Sequence, residues 1–188
     1  MKVTKAQAQA NRGHIVQTAS VLFREHGYDG VGVADLMAGA GFTHGGFYKH
    51  FGSKADLMAE AAACGFATSS AATAGANQAS FVEHYLSRQH RDKRDTGCTM
   101  AALGGDAARQ SNTVKAHFVA GIEQMVADLS SNGTAPSPED RAERLAMIAQ
   151  LAGALMLSRA CPDDASLADE ILDVCRTKIL AGLTRHQE

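Results

Sequence analysis

The chain has 188 residues, enough to bury a substantial core in one or two domains. Its formal net charge of −2 excludes a uniformly basic, nucleic-acid-coating protein, and four cysteines without a CxxC pair signal neither a zinc site nor a redox dithiol. The charge is uneven: residues 1–54 carry six basic side chains against three acidic, and the remainder twelve against seventeen. A positive small part joined to a negative larger part suits a DNA-facing end and a body that avoids DNA.

Met1–Asn11 is polar and contains Lys2 and Lys5, so it is expected to be a mobile arm. A contact from either lysine to a phosphate or the minor groove is the other reading. Arg12–His26 reads as the first helix, with Ile15, Ala19, Leu22 and Phe23 as its apolar stripe. Gly27 ends it, and Tyr28-Asp29-Gly30 makes a turn. Gly32 opens a second helix carrying Val33, Leu36 and Met37 at i, i+3, i+4. Gly41 stands where a helix C-terminus wants positive φ. Phe42 plugs the turn, and Thr43 is expected to cap a short helix running to Phe51. Within it Phe47 and Phe51 point inward, leaving His44, Gly45, Gly46, Tyr48, Lys49 and His50 on or near the outer side. Two short helices joined by a glycine-containing turn form a helix-turn-helix, whose second helix enters the major groove.

Gly45 and Gly46 are poor helix formers. Their presence makes sense if the backbone must approach DNA closely, or if a tight turn needs relief. His44 and the two glycines lie where base edges are met, while Tyr48 and Lys49 are placed to hold phosphate oxygens. His50 is either a phosphate contact or a surface histidine. Ser53 caps the next helix, and Asp56 suits its first turn. Lys54 at that N-terminus calls for a nearby anion, such as a DNA phosphate.

The run Phe42-Thr43-His44-Gly45-Gly46-Phe47-Tyr48-Lys49-His50-Phe51-Gly52-Ser53-Lys54 resembles the recognition helix and following turn of the TetR family of bacterial transcriptional regulators. Ala19, Leu22, Phe23, Gly27 and Tyr28 also fit that family, and the likeness covers roughly residues 12–64. Gly32 departs from it, since the family usually has Ser or Thr there, whose side-chain oxygen can reach a phosphate. The resemblance implies an all-α fold: a three-helix DNA-binding head at 1–54, then a larger effector-binding and dimerisation body at 55–188. It implies a homodimer on palindromic double-stranded operator DNA, released by a small-molecule effector.

Farther along, the fourth helix runs to Cys64 or beyond, and Thr68–Ser80 is either its tail or a loop. Phe81, Val82, Tyr85 and Leu86 make a brief amphipathic helix. Arg88–Asp95 is a charged run expected to be a solvated loop. Gly97–Asp106 starts a helix similar to one that lines the effector cavity in the resembling family. Cys98, Met100 and Leu103, with Phe118 and Ile122 of the next helix, are the expected ligand-binding residues. Cys98 at a helix start is either an electrophile or oxidant sensor or a packing residue. Val114–Leu129 is amphipathic and is expected to stop at Asn132–Pro136. Ser137-Pro138-Glu139-Asp140 restarts a helix to Arg159. Asp163 or Asp164 is expected to cap the last one, Leu167–Leu183. By resemblance this final pair forms the dimer interface through Leu151, Leu155, Ile171, Cys175 and Ile179; the same stripes also suit a monomer core.

No catalytic set, cofactor motif or metal site is signalled, so an enzyme is not expected. No membrane span or signal segment is seen, so a cytoplasmic protein with reduced thiols is expected. The competing readings are a thiol sensor or thiol-reactive enzyme using Cys98, and a small-molecule binding module that has lost DNA binding.

Overall fold

A computed structural model describes residues 4–129 and 137–185 of the chain. It is all-α, and no strand occurs among the described residues. Two compact units are present: residues up to Ser69 together with Cys98–Gly121, and Ser70–Gly97 together with the residues from Ile122 onward.

In the first unit, helix α1 spans Lys5–His26. It begins seven residues earlier than the apolar stripe suggests, so residues 5–11 are helical and not an arm. Thr4 caps it, its hydroxyl accepting from the Gln7 N–H at 3.2 Å. Gln7 then donates to Asn11 at 2.8 Å, one turn on. Lys2 lies outside the described residues. Ile15, Ala19 and Phe23 are fully buried beneath α2, Val33–Gly39, which contributes Leu36 and Met37.

A six-residue 3-10 helix, His44–Lys49, follows. The expected helix from Thr43 to Phe51 is therefore shorter and more tightly wound. Two adjacent glycines and a length under two turns leave little to favour the α form. Helix α3 runs Lys54–Thr73, which settles much of the ambiguous Thr68–Ser80 stretch as its tail. Helix α6, Thr99–Ala107, packs on α1 within the same unit. Helix α7, Asn112–Asp128, starts there too. The ring of Phe66 on α3 meets Phe118 on α7 edge-on at 5.4 Å and lies flat against Gly121, where a Cβ would come within 2.5 Å of ring carbons.

The second unit contains α4, Gln78–Tyr85, and α5, Arg88–Asp92. The charged run is thus not a solvated loop. Ser87 caps α5, and its fourth residue, Arg91, is only 2% exposed. Its guanidinium donates to Ser158 Oγ (3.0 Å), to Asp92 (2.7 Å), to Asp163 (3.1 Å) and to the Cys161 carbonyl (3.2 Å). Burying an arginine is tolerable only when its donors are used in this way. His90 is buried beside it, its Nδ1–H donating to the Tyr85 carbonyl at 2.7 Å. Desolvation pushes that imidazole down to about 4, with Arg159 and His84 adding repulsion.

Helix α8, Pro138–Ala160, opens on the expected capping box, with Ser137 and Asp140 exchanging side-chain-to-backbone bonds at 3.1 and 3.2 Å. The residues expected to stop α7, Asn132–Pro136, lie outside those described. Helix α9, Ser166–Arg185, packs along α8. It starts one residue before the expected Leu167, and Asp163 serves Arg91 instead of capping it. No helix among the described residues is long and apolar enough to cross a membrane.

Candidate nucleic-acid interface

The turn between α2 and the 3-10 helix is built by hydrogen bonding to the last carbonyls of α2. Gly41 takes φ +76°; its N–H donates to Ala38 O at 2.9 Å, and the Phe42 N–H donates to Met37 O at 2.8 Å. This pair of bonds is a Schellman motif, and it requires the left-handed conformation that glycine adopts without strain. The chain reverses, and Thr43 enters the next helix in an extended conformation. Thr43 occupies the cap position, but its hydroxyl makes no capping bond; the Gly46 N–H bonds the Thr43 carbonyl at 2.9 Å instead.

Phe47 and Phe51 are buried, with ring centroids 5.5 Å apart, and they set which face turns outward. His44, Gly45, Tyr48 and Lys49 are on that outer face, and Tyr48 is 71% exposed. A Cβ on Gly45 would meet nothing within 4 Å, and neither Gly45 nor Gly46 has positive φ. Gly46 lies closer in, where a Cβ would come within 3.5 Å of the Met37 methyl. The fold alone therefore gives no reason for glycine at position 45. His50 is half-buried, its ring lying 6.5 Å from Phe42 and 6.3 Å from Phe51.

Helix α3 begins beside this face. Ser53 Oγ accepts from the Asp56 N–H at 3.1 Å, as its sequence position suggests. The Lys54 ammonium donates to the Tyr28 carbonyl at 2.6 Å and lies 5.8 Å from the Phe23 ring centroid. Its unfavourable placement at a helix N-terminus is thus eased from within the protein, by a carbonyl that sequence spacing could not reveal.

Two residues that sequence reasoning missed hold this unit together. Arg12 on α1 pairs with both carboxylate oxygens of Glu60 on α3, donates from Nε to the His50 carbonyl at 3.2 Å, and lies over the Phe51 ring at 4.6 Å. The Glu60 bond raises the guanidinium's already high pKa, against a smaller effect of desolvation. Asp106 on α6 accepts from the Tyr28 N–H at 3.1 Å. Tyr28 is fully buried, and desolvation raises its phenol well above the usual range, with Asp106 adding to the shift. In both cases the partners are 38 to 78 residues away, so no local signal marks them.

The expected effector residues are mostly inward. Cys98 (6% exposed), Leu103 (2%) and Phe118 (5%) are buried in the first unit, where Met100 is half-buried; Ile122, half-buried, opens the second. Cys98 is the N-cap residue of α6 but makes no side-chain capping bond. In the second unit, Leu151 and Leu155 are fully buried and Ile179 nearly so, while Ile171 and Cys175 are half-buried. The apolar side chains that α8 and α9 leave exposed are others: Leu145, Met156, Leu157, Leu167 and Val174. A cleft of about 450 Å³ in this unit is lined by Arg88, Arg91, Asp92, Arg94 and Asp163, a polar wall in which Arg88 and Arg91 pair with Asp92 and Arg91 with Asp163. Among the described residues no group of three or more His, Cys, Asp or Glu could hold a metal ion.

Residues 15–61 match the family model of bacterial regulatory proteins, tetR family. The chain is 39% identical over 57 residues to the HTH-type transcriptional regulator AcrR of Shigella flexneri, covering 30% of this chain and 26% of that protein. It is 35% identical over 54 residues to the HTH-type transcriptional repressor KstR2 of Mycobacterium tuberculosis, covering 29% and 27%. The match thus spans about a quarter of the length of either curated relative. The fold is shared more widely: a TetR transcriptional regulator from Chloroflexus aurantiacus superposes with a TM-score of 0.73 at 21% identity, covering 95% of this chain and 96% of that one. Residues 15–61 thus match the helix-turn-helix of the tetR family of bacterial regulatory proteins, and the fold of the chain is shared nearly end to end with a TetR regulator.

Proposed function

We propose that the chain is a sequence-specific DNA-binding transcriptional repressor that acts as a homodimer, without catalysis, and leaves its operator when a small molecule binds. The observation that carries the DNA reading is the outer face of the 3-10 helix. There Gly45 opens onto empty space and Tyr48 and Lys49 project outward, over a base fixed by Phe47 and Phe51. In this reading Thr43, His44 and the Gly45–Gly46 backbone meet base edges, and Tyr48 and Lys49 hold phosphates. Lys54 and His50 sit at the margin, each already engaged by neighbours in the protein.

The exposed apolar side chains of α8 and α9 support dimerisation. Leu145 and Met156 are eleven residues apart, three helical turns, and so share a face. Two copies joined there would offer two heads to half-sites about 34 Å or more apart. Repression is supported by the name of KstR2 and by the habit of the family. Effector release is supported by the Asp106–Tyr28 bond, which ties α6 to the segment between α1 and α2. A ligand preferring one position of α6 would shift the heads' population through that tie. Burial of Cys98 weighs against a thiol sensor, because reactive cysteines are partly exposed.

The test is a gel shift of the full chain with DNA from upstream of its own gene, at two salt concentrations. Binding should weaken with salt. Lys49→Ala should weaken it further on every sequence and reduce the salt slope by about 0.9. Absence of any preference for the upstream fragment over a scrambled duplex would refute the proposal.

A further inference from the structure

We propose that Arg12 is the positioning residue of the 3-10 helix, holding its outer face at the angle that DNA recognition needs; this rests on the DNA-binding reading above. The helix is weakly secured at its start, where Thr43 provides no side-chain cap and no protein atom lies within 4 Å of where a Cβ on Gly45 would stand. Its far end is secured by one side chain from another element. Arg12 Nε donates at 3.2 Å to the carbonyl of His50, the residue that closes the helix. The rest of the fork binds the Glu60 carboxylate on α3, and the guanidinium carbon lies over the Phe51 ring, 4.6 Å from its centroid.

One planar group therefore fixes α1, the end of the 3-10 helix and α3 relative to one another. Each contact uses a property peculiar to arginine: a rigid set of donors, permanent charge and a flat face. A lysine reaching the same place could serve the carboxylate or the carbonyl, and could not stack. At 31% side-chain exposure Arg12 is also accessible enough to touch a phosphate itself, and the experiment separates the two roles.

Three proteins are compared, all full length: the parent, Arg12→Lys, and the exchange Arg12→Glu with Glu60→Arg. Each is titrated against the upstream fragment and against a scrambled duplex over a salt series, and melted without DNA. Arg12→Lys is expected to lose about tenfold in affinity for the upstream fragment, because recognition groups must be held to within about 0.5 Å. On the scrambled duplex it should change by less than about threefold, with the salt slope kept. The exchange is expected to recover the parent's melting temperature, since it restores an ion pair. It should stay weak on the upstream fragment, since a glutamate at 12 cannot donate to the His50 carbonyl. Full recovery of DNA affinity by the exchange would overturn the inference, leaving Arg12 a simple ion-pair residue. Equal loss on both duplexes, with the slope reduced by about 0.9, would overturn it in favour of a phosphate contact. A parent that does not distinguish the two duplexes would overturn the DNA reading and this inference with it.

Discussion

Replacing Gly45 with alanine separates what the fold needs from what DNA needs. The added methyl meets no protein atom within 4 Å, and the backbone there has no positive φ to strain it. Alanine is also the better helix former and has fewer unfolded conformations to lose, so stability should rise by about 0.5–1 kcal/mol. For a chain of this size that is a melting temperature higher by roughly 1–4 °C. In the proposed DNA complex the same methyl, about 1.5 Å from the Cα, would occupy the space through which the backbone approaches a base edge. A displacement of about 1 Å stretches hydrogen bonds beyond their usual 2.7–3.2 Å. Losing one base contact costs about 1–3 kcal/mol, a roughly five- to 150-fold weaker complex. Thermal melting and fluorescence anisotropy on the upstream fragment, run on the same preparation, measure both effects. A variant that is more stable and binds as tightly as the parent would refute the reasoning, because the glycine would then serve neither the fold nor the approach.

Gly121→Ala should act in the opposite way. Its Cβ would come within 2.6 Å of three Phe66 ring carbons, so the ring or α7 must move; a loss of about 1–3 kcal/mol is expected in denaturant melts, and a parent-like midpoint would show that α3 and α7 have slack there. Buried His90 supplies a pH dependence. It stays neutral in the folded chain down to about pH 4, whereas the unfolded chain takes up the proton near 6.5. The unfolded state therefore binds more protons between about pH 6.5 and 4, so stability contributed by this group falls as pH falls through that window, by up to about 3 kcal/mol. His90→Gln should flatten the stability profile there, and an unchanged slope would mean that other groups carry it.

The helix-turn-helix was legible because its determinants are local. Gly41, the plug at Phe42 and the Phe47–Phe51 pair lie within a dozen residues, and each does what its spacing implies. The start of α8 was legible for the same reason, since Ser137 and Asp140 satisfy each other. What was hidden depends on distant partners or on missing contrast. The first turns of α1 are mostly exposed and carry no apolar stripe, so nothing in residues 5–11 announces a helix. The run around Arg91 looks solvated because the groups that satisfy it, Ser158, Cys161 and Asp163, come about 70 residues later. Leu151 and Leu155 show the limit of periodicity: their stripe packs inward, and the exposed apolar side chains of α8 are Leu145 before it and Met156 and Leu157 after it.

The first unit is stitched from two stretches of chain, with α6 and the beginning of α7 returning to α1 and α3 after an excursion of some thirty residues. An engineer wishing to transplant this reader onto a foreign sensor cannot simply cut after α3. The donor piece would arrive without Asp106, and the Tyr28 amide would lose its acceptor. Phe66 would lose the aromatic neighbour it shares with α7. A workable chimera must carry both stretches, so its junctions belong near residues 69, 98 and 121, within helices and beside a cap rather than in a linker.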